Sequence, residues 1–130
     1  MLRLGRSPHM HTRILLSILV LGLLGGCGLF GGKSSRCDLR PATPQCTDWR
    51  DLTTPTMTVQ SMLCDSLKAT GSATFTDGQT CPAADCLGGC QGTFGGGGKQ
   101  TNWFYKSDKF KTADDVKKAC DSDMSYVASP

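Results

Sequence analysis

With 130 residues, 38% apolar content, eight cysteines and a formal charge of +3, the chain has room for one small domain. The positive excess is Arg3, Arg6 and Arg13, all ahead of one apolar run; without them 11 Lys+Arg stand against 11 Asp. The charge thus reports export and excludes a nucleic-acid partner. His9 and His11 belong to the same leading segment and Glu is absent, which excludes Ser-His-Asp, Cys-His and His-based metal chemistry from the remainder.

The first element is the apolar run Ile14–Leu24. A basic stretch, a short apolar stretch and a small-residue cleavage site make a secretory signal. A retained membrane helix needs about 20 apolar residues, and Gly22, Gly25 and Gly26 interrupt this run well before that. An ordinary cleaved signal would not require the cysteine that follows. Leu24-Gly25-Gly26-Cys27 resembles the lipobox of bacterial lipoproteins. The resemblance implies that residues 1–26 are removed and that Cys27 carries a diacylglyceryl thioether. It also implies a partner, the membrane, held through the lipid. Two or three acyl chains anchor stably where one would not. Gly28, in place of Asp at the second mature position, implies the outer membrane, with the domain facing the periplasm or the exterior.

Gly/Ser-rich composition predicts a flexible tether over 27–35, followed by one domain over 36–130. Large aliphatic residues are sparse in that domain, so covalent staples are expected to make up for a thin core. The candidates are Cys37, Cys46, Cys64, Cys81, Cys86, Cys90 and Cys120. Cysteines in a small exported domain read as a disulfide framework. Seven is odd, and on the order of a hundred arrangements satisfy the count.

In chain order, the spacing of Val59, Met62, Leu63 and Leu67 predicts a helix over about Thr58–Ala69 with these residues inward. Thr56 or Thr58 would cap its start, and Gly71 would supply a left-handed C-cap. A short strand at Ala73–Phe75 leads into the Asp77-Gly78 turn, with Gln79–Pro82 after it. Cys86–Phe94 and Lys99–Tyr105 predict a hairpin across Gly95–Gly98. Its flanks read as strands, so it lacks the strand-then-helix setting of a phosphate loop. Thr112-Ala-Asp-Asp115 resembles a capping box, opening a helix from Ala113 to about Asp121 with Ala113, Val116 and Cys120 inward.

Two segments repeat. Trp49 and Tyr105 each precede a helix cysteine, Cys64 or Cys120, by 15 residues. Each cysteine is followed by Asp-Ser and then a short strand. Such a repeat predicts two units packed face to face around one core. The expected fold class is α+β: a small disulfide-stapled domain with two short helices, short antiparallel strands and a two-fold internal repeat.

The order Cys46-Thr-x-Trp49, a helix with Cys64, Ala73-Thr-Phe75, Cys81-Pro82, Gly88-Gly-Cys90, Trp103-Phe-Tyr105 and Ala119-Cys120 resembles a group of small cysteine-rich lipoproteins of diderm bacteria. The group has no assigned activity, so the resemblance implies a fold and an address. Cys86 departs from its pattern, which makes it the extra thiol or a partner of Cys37. We expect Cys64 to pair with Cys81 and Cys46 with Cys90.

Three clustered cysteines, Cys81, Cys86 and Cys90, match no paired zinc motif, and Asp114-Asp115 and Asp121-x-Asp123 lie in no calcium loop. No metal or cofactor is expected, and no catalytic residue. Trp103-Phe104-Tyr105, flanked by Lys106, Lys109 and Lys111, and Trp49 remain as a candidate ligand patch. The plainer reading puts alternate rings into the core, with Trp103 and Tyr105 on one face and Phe104 on the other. The expected function is a non-enzymatic, membrane-anchored structural or interaction role with a protein partner. The alternative is a binding module for a carbohydrate or envelope polymer through exposed aromatics.

Overall fold

The computed structural model describes residues 32–94 and 96–130, so Cys27, the leader and most of the tether lie outside it. An antiparallel six-stranded sheet dominates. Its strands are β1 (Lys33–Asp38), β2 (Gln45–Leu52), β3 (Thr74–Asp77), β4 (Cys86–Phe94), β5 (Gly98–Tyr105) and β6 (Ser125–Val127). Helix α1 (Thr54–Leu67) follows β2, and α2 (Ala113–Ala119) follows β5. The strand order β3-β1-β2-β5-β4-β6 is symmetric in connectivity. β1-β2-α1-β3 builds one half and β4-β5-α2-β6 the other, joined where β2 pairs antiparallel with β5. The two units therefore lie side by side in one sheet. The expected face-to-face packing is corrected, because backbone pairing along the inner strands satisfies N–H and C=O groups that a face-to-face arrangement would leave at an edge.

The register fixes the faces. Phe75, Cys37, Thr47, Asn102, Cys90 and Tyr126 form one cross-strand row, so their side chains share a face. Cys37 bonds Cys64 of α1, and Cys90 bonds Cys120 at the end of α2. Both helices accordingly cover this front face. The back face carries Cys46, Asp48, Thr101, Trp103 and Tyr105. The 79–85 segment crosses it, tied by Cys46–Cys81 and by Tyr105 Oη donating to Pro82 O at 2.6 Å. The expectation of Cys64–Cys81 and Cys46–Cys90 is thus wrong, as is Cys37 with Cys86. Cys64 and Cys81 lie on opposite faces of the sheet, as do Cys46 and Cys90, and a disulfide needs Cα atoms within about 7 Å. Cys86 is the one free cysteine among the described residues.

Three further expectations change. Lys33–Ser35 belong to β1 and not to a tether; Ser35 is fully buried opposite Trp49 and Asp77. Ladder hydrogen bonds order a segment whose composition alone would not. Helix α1 starts four residues early, because Thr53 caps it and Pro55 suits the first turn. Gly71 has no left-handed backbone, and the cap is Lys68.

The inward face of α1 is also the reverse of the periodicity. Gln60 and Cys64 are buried, whereas Val59, Met62, Leu63 and Leu67 are 43–67% exposed. The Cys37–Cys64 bond dictates which side of the helix meets the sheet. Helix α2 follows its sequence: Thr112 and Asp115 form the capping box, and Val116 is wholly buried. The β4–β5 hairpin also forms where expected. Residues 79–82, after the Asp77-Gly78 turn, do not form a strand.

Gly88-Gly89 is needed from both sides. A Cβ on Gly89 would lie 2.6 Å from the Trp103 ring on the back, and one on Gly88 would collide with the Tyr126 ring on the front.

Candidate functional site

A cleft of about 220 Å³ opens on the front face between α1 and the central strands. Trp49 of β2 and Gln100 of β5 are cross-strand partners on its floor. Leu63 and Leu67 of α1 form the wall, with the Cys37–Cys64 bridge behind them. None of its lining residues is charged.

The floor is wired by side-chain hydrogen bonds. Trp49 Nε1 donates to Gln100 Oε1 at 2.9 Å, and Gln100 Nε2 donates to Asn102 Oδ1 at 3.3 Å. Thr47 Oγ1 donates to the same Asn102 oxygen at 2.9 Å. The Gln60 residue is 5% exposed, lines the cleft, and makes no side-chain hydrogen bond to any described residue. Its amide is not among the sealed, unpartnered polar atoms, so it meets solvent through the cleft and is open to a ligand there. The outer wall continues as the apolar stripe Val59, Met62, Leu63 and Leu67.

The back face holds a cluster of ionisable groups around Tyr105. Arg40 donates to both Asp38 oxygens, Nε to Oδ1 at 2.9 Å and Nη2 to Oδ2 at 2.7 Å. These bonds hold the Asp38 carboxyl below its usual range. The Arg40 guanidinium stacks 4.1 Å from the Tyr105 ring centroid. Burial pushes the Tyr105 phenol up to about 12 and the Cys86 thiol above its ordinary value. Burial therefore favours the protonated form of the Cys86 thiol. Asp48 is fully buried; Cys81 N donates to its Oδ2 at 3.5 Å, and Arg50 Nη2 lies 3.7 Å from the same oxygen. A wider, open hollow lies beside Pro41, Pro44, Lys106, Asp108 and Lys111.

The structure separates the four aromatic candidates. Trp103 and Tyr105 are core residues of the back face, 2% and 3% exposed. Phe104 is on the front, stacked on Phe110 at 4.7 Å between centroids. Trp49 alone of the four lines the cleft, and it is itself mostly buried. An exposed row of these rings does not exist, because strand alternation sends neighbours to opposite faces. Gln60, Thr47, Gln100 and Asn102 were not singled out from the sequence. Alternation along Lys99–Tyr105 carries a signal for Gln100 and Asn102. Nothing in the pattern around Gln60 does: a lone amide beside an apolar stripe reads as a solvent-facing position, although Leu63 and Leu67 line the same cleft. Cys27 lies outside the described residues.

Among the described residues, no three His, Cys, Asp or Glu side chains converge as a metal site, and no helix is long and apolar enough to cross a membrane. No family model, no curated protein and no solved structure matches the chain.

Proposed function

We propose that the chain is a lipid-anchored envelope protein whose domain has a structural or interaction role without catalysis. Its anchor would be Cys27, acylated after removal of residues 1–26, and its address the outer membrane, facing the periplasm or exterior. The observation that carries the reading is the pairing of six cysteines in three intrachain bridges. Such bonds persist in oxidising, exported compartments, where the Leu24-Gly25-Gly26-Cys27 signal would send the chain. The resemblance to small cysteine-rich lipoproteins supports the same address.

The interaction role is supported by α1. Its outward face carries four exposed aliphatic residues and, over its whole length, one charged residue, Asp65. A contiguous apolar stripe is characteristic of an association surface. The mirrored β-β-α-β halves support reading the domain as an internal two-fold repeat.

Mass spectrometry of the intact, membrane-extracted protein tests the anchor. The expected species starts at Cys27, carries acyl mass, and gains two hydrogens per bridge on reduction. A full-length chain with Cys27 unmodified would overturn the reading.

A further inference from the structure

We propose that the cleft between α1 and strands β2 and β5 binds the acetamido group of an N-acetylated amino sugar. The inference goes beyond the anchoring role and rests on the front-face geometry alone.

The cleft combines two chemistries at one place. Leu63 and Leu67 supply an apolar wall, while Gln60 supplies a carboxamide whose acceptor and two donor hydrogens bond no described residue and meet only solvent in the cleft. A ligand that left the amide unpaired would forfeit its hydrogen bonds, which disfavours a plain hydrocarbon such as a fatty acyl chain. A charged ligand would find no counter-charge in the lining. An acetamido group meets both demands: its methyl packs on the leucines, and its N–H and C=O pair with a carboxamide.

Size and surroundings favour a sugar over a peptide. At roughly 30 Å³ per water, the cleft of about 220 Å³ holds about seven waters' worth of ligand, a single ring-sized unit. Trp49 presents part of its ring to that space. Beyond it the floor continues with the neutral, partly exposed amides of Gln100 and Asn102, suited to ring hydroxyls. A peptide strand would need free backbone to pair with. β2 is already paired with β1 and β5, and β5 with β2 and β4, so the floor offers none.

The two tryptophans make the test internally controlled. Trp49 lines the cleft, and Trp103 is buried on the other side of the sheet. The isotopically labelled full chain, purified with its disulfides intact, is titrated with the trimer of N-acetylglucosamine while both indole N–H resonances are followed. The Trp49 resonance is expected to move saturably at concentrations on the order of 1 mM, and the Trp103 resonance to stay. Glucose trimer, which lacks the acetamido group, is expected to move neither. Gln60→Leu removes the amide and keeps the bulk; it is expected to weaken binding at least about tenfold without lowering the melting temperature. Val59→Ser, outside the cleft, is expected to bind as the native chain does. The proposal is overturned if neither indole responds, if glucose trimer acts equally, or if Gln60→Leu binds normally. A response to N-acetylalanine methylamide as strong as to the sugar also overturns it, assigning the cleft to peptides. Anchoring is read from mass and this site from resonance shifts, so either reading can fail alone.

Discussion

Cys37 and Cys90 stand on one cross-strand row at corresponding places in the two halves of the sheet: Cys37 opposes Thr47, Thr47 opposes Asn102, and Asn102 opposes Cys90. Each ties its own helix to the front face, Cys37 through Cys64 and Cys90 through Cys120, at sequence separations of 27 and 30. Loops of such similar length constrain the unfolded chain to similar extents, worth about 3.5 kcal/mol each. Cys37→Ser with Cys64→Ser, and Cys90→Ser with Cys120→Ser, are expected to destabilise the oxidised protein by comparable amounts. Chemical denaturation in the presence and absence of reductant checks this; loss of stability from one pair only would contradict the equivalence of the halves.

Two glycines should respond in opposite ways. Gly89→Ala drives a methyl into the Trp103 ring and the strand behind it, an overpacking cost of about 1–3 kcal/mol. Gly71→Ala meets only Ala42 Cβ at 3.4 Å, with no left-handed backbone to strain. It is expected to be neutral or to stabilise by about 0.4–1 kcal/mol through the unfolded chain. Melting curves of the two variants decide the point, and equal destabilisation would contradict it.

Cys86 is half-buried and free, and burial raises its thiol above the ordinary value. The native domain is expected to take up one alkyl group from iodoacetamide, slowly at pH 7 and faster above pH 9, as the thiolate forms. Peptide mapping should place the label on Cys86. Rapid labelling at pH 7, or label on any of the six bridged cysteines, would be the contrary result.

Tyr105 is protonated more tightly in the folded chain than in the unfolded one, because burial disfavours its phenolate and raises its value from 10 to about 12. The folded state therefore holds more protons between those values. Its contribution is complete below about pH 10 and declines as pH rises toward 12. Denaturation midpoints measured from pH 9 to 12 should fall, and Tyr105→Phe should flatten the fall. An identical slope in the variant would assign the alkaline loss to other groups.

Much of the local structure was legible because local rules govern it. The Thr112–Asp115 capping box depends on residues three apart, and the β4–β5 hairpin on glycines between two strand-like runs. That at most three bridges form and one thiol is left over followed from the odd count of seven cysteines. The candidate cleft was not legible. Gln60 reaches it only because α1 packs with Gln60 and Cys64 innermost, and Gln100 and Trp49 meet only across the β2–β5 pairing, 51 residues apart in sequence.

Taken by itself, then, the sequence determined the cysteine-rich, disulfide-bonded character, the two helices and the hairpin, since each is encoded within a few neighbouring residues or in composition. The tertiary structure alone decided which cysteines bond, that the two halves join through their inner strands, and that Val59, Met62, Leu63 and Leu67 face solvent. Periodicity marks an apolar face without saying what it meets. Here the Cys37–Cys64 bond requires Cys64 to face the sheet, and that geometric constraint, which no local pattern encodes, goes with a stripe left largely exposed.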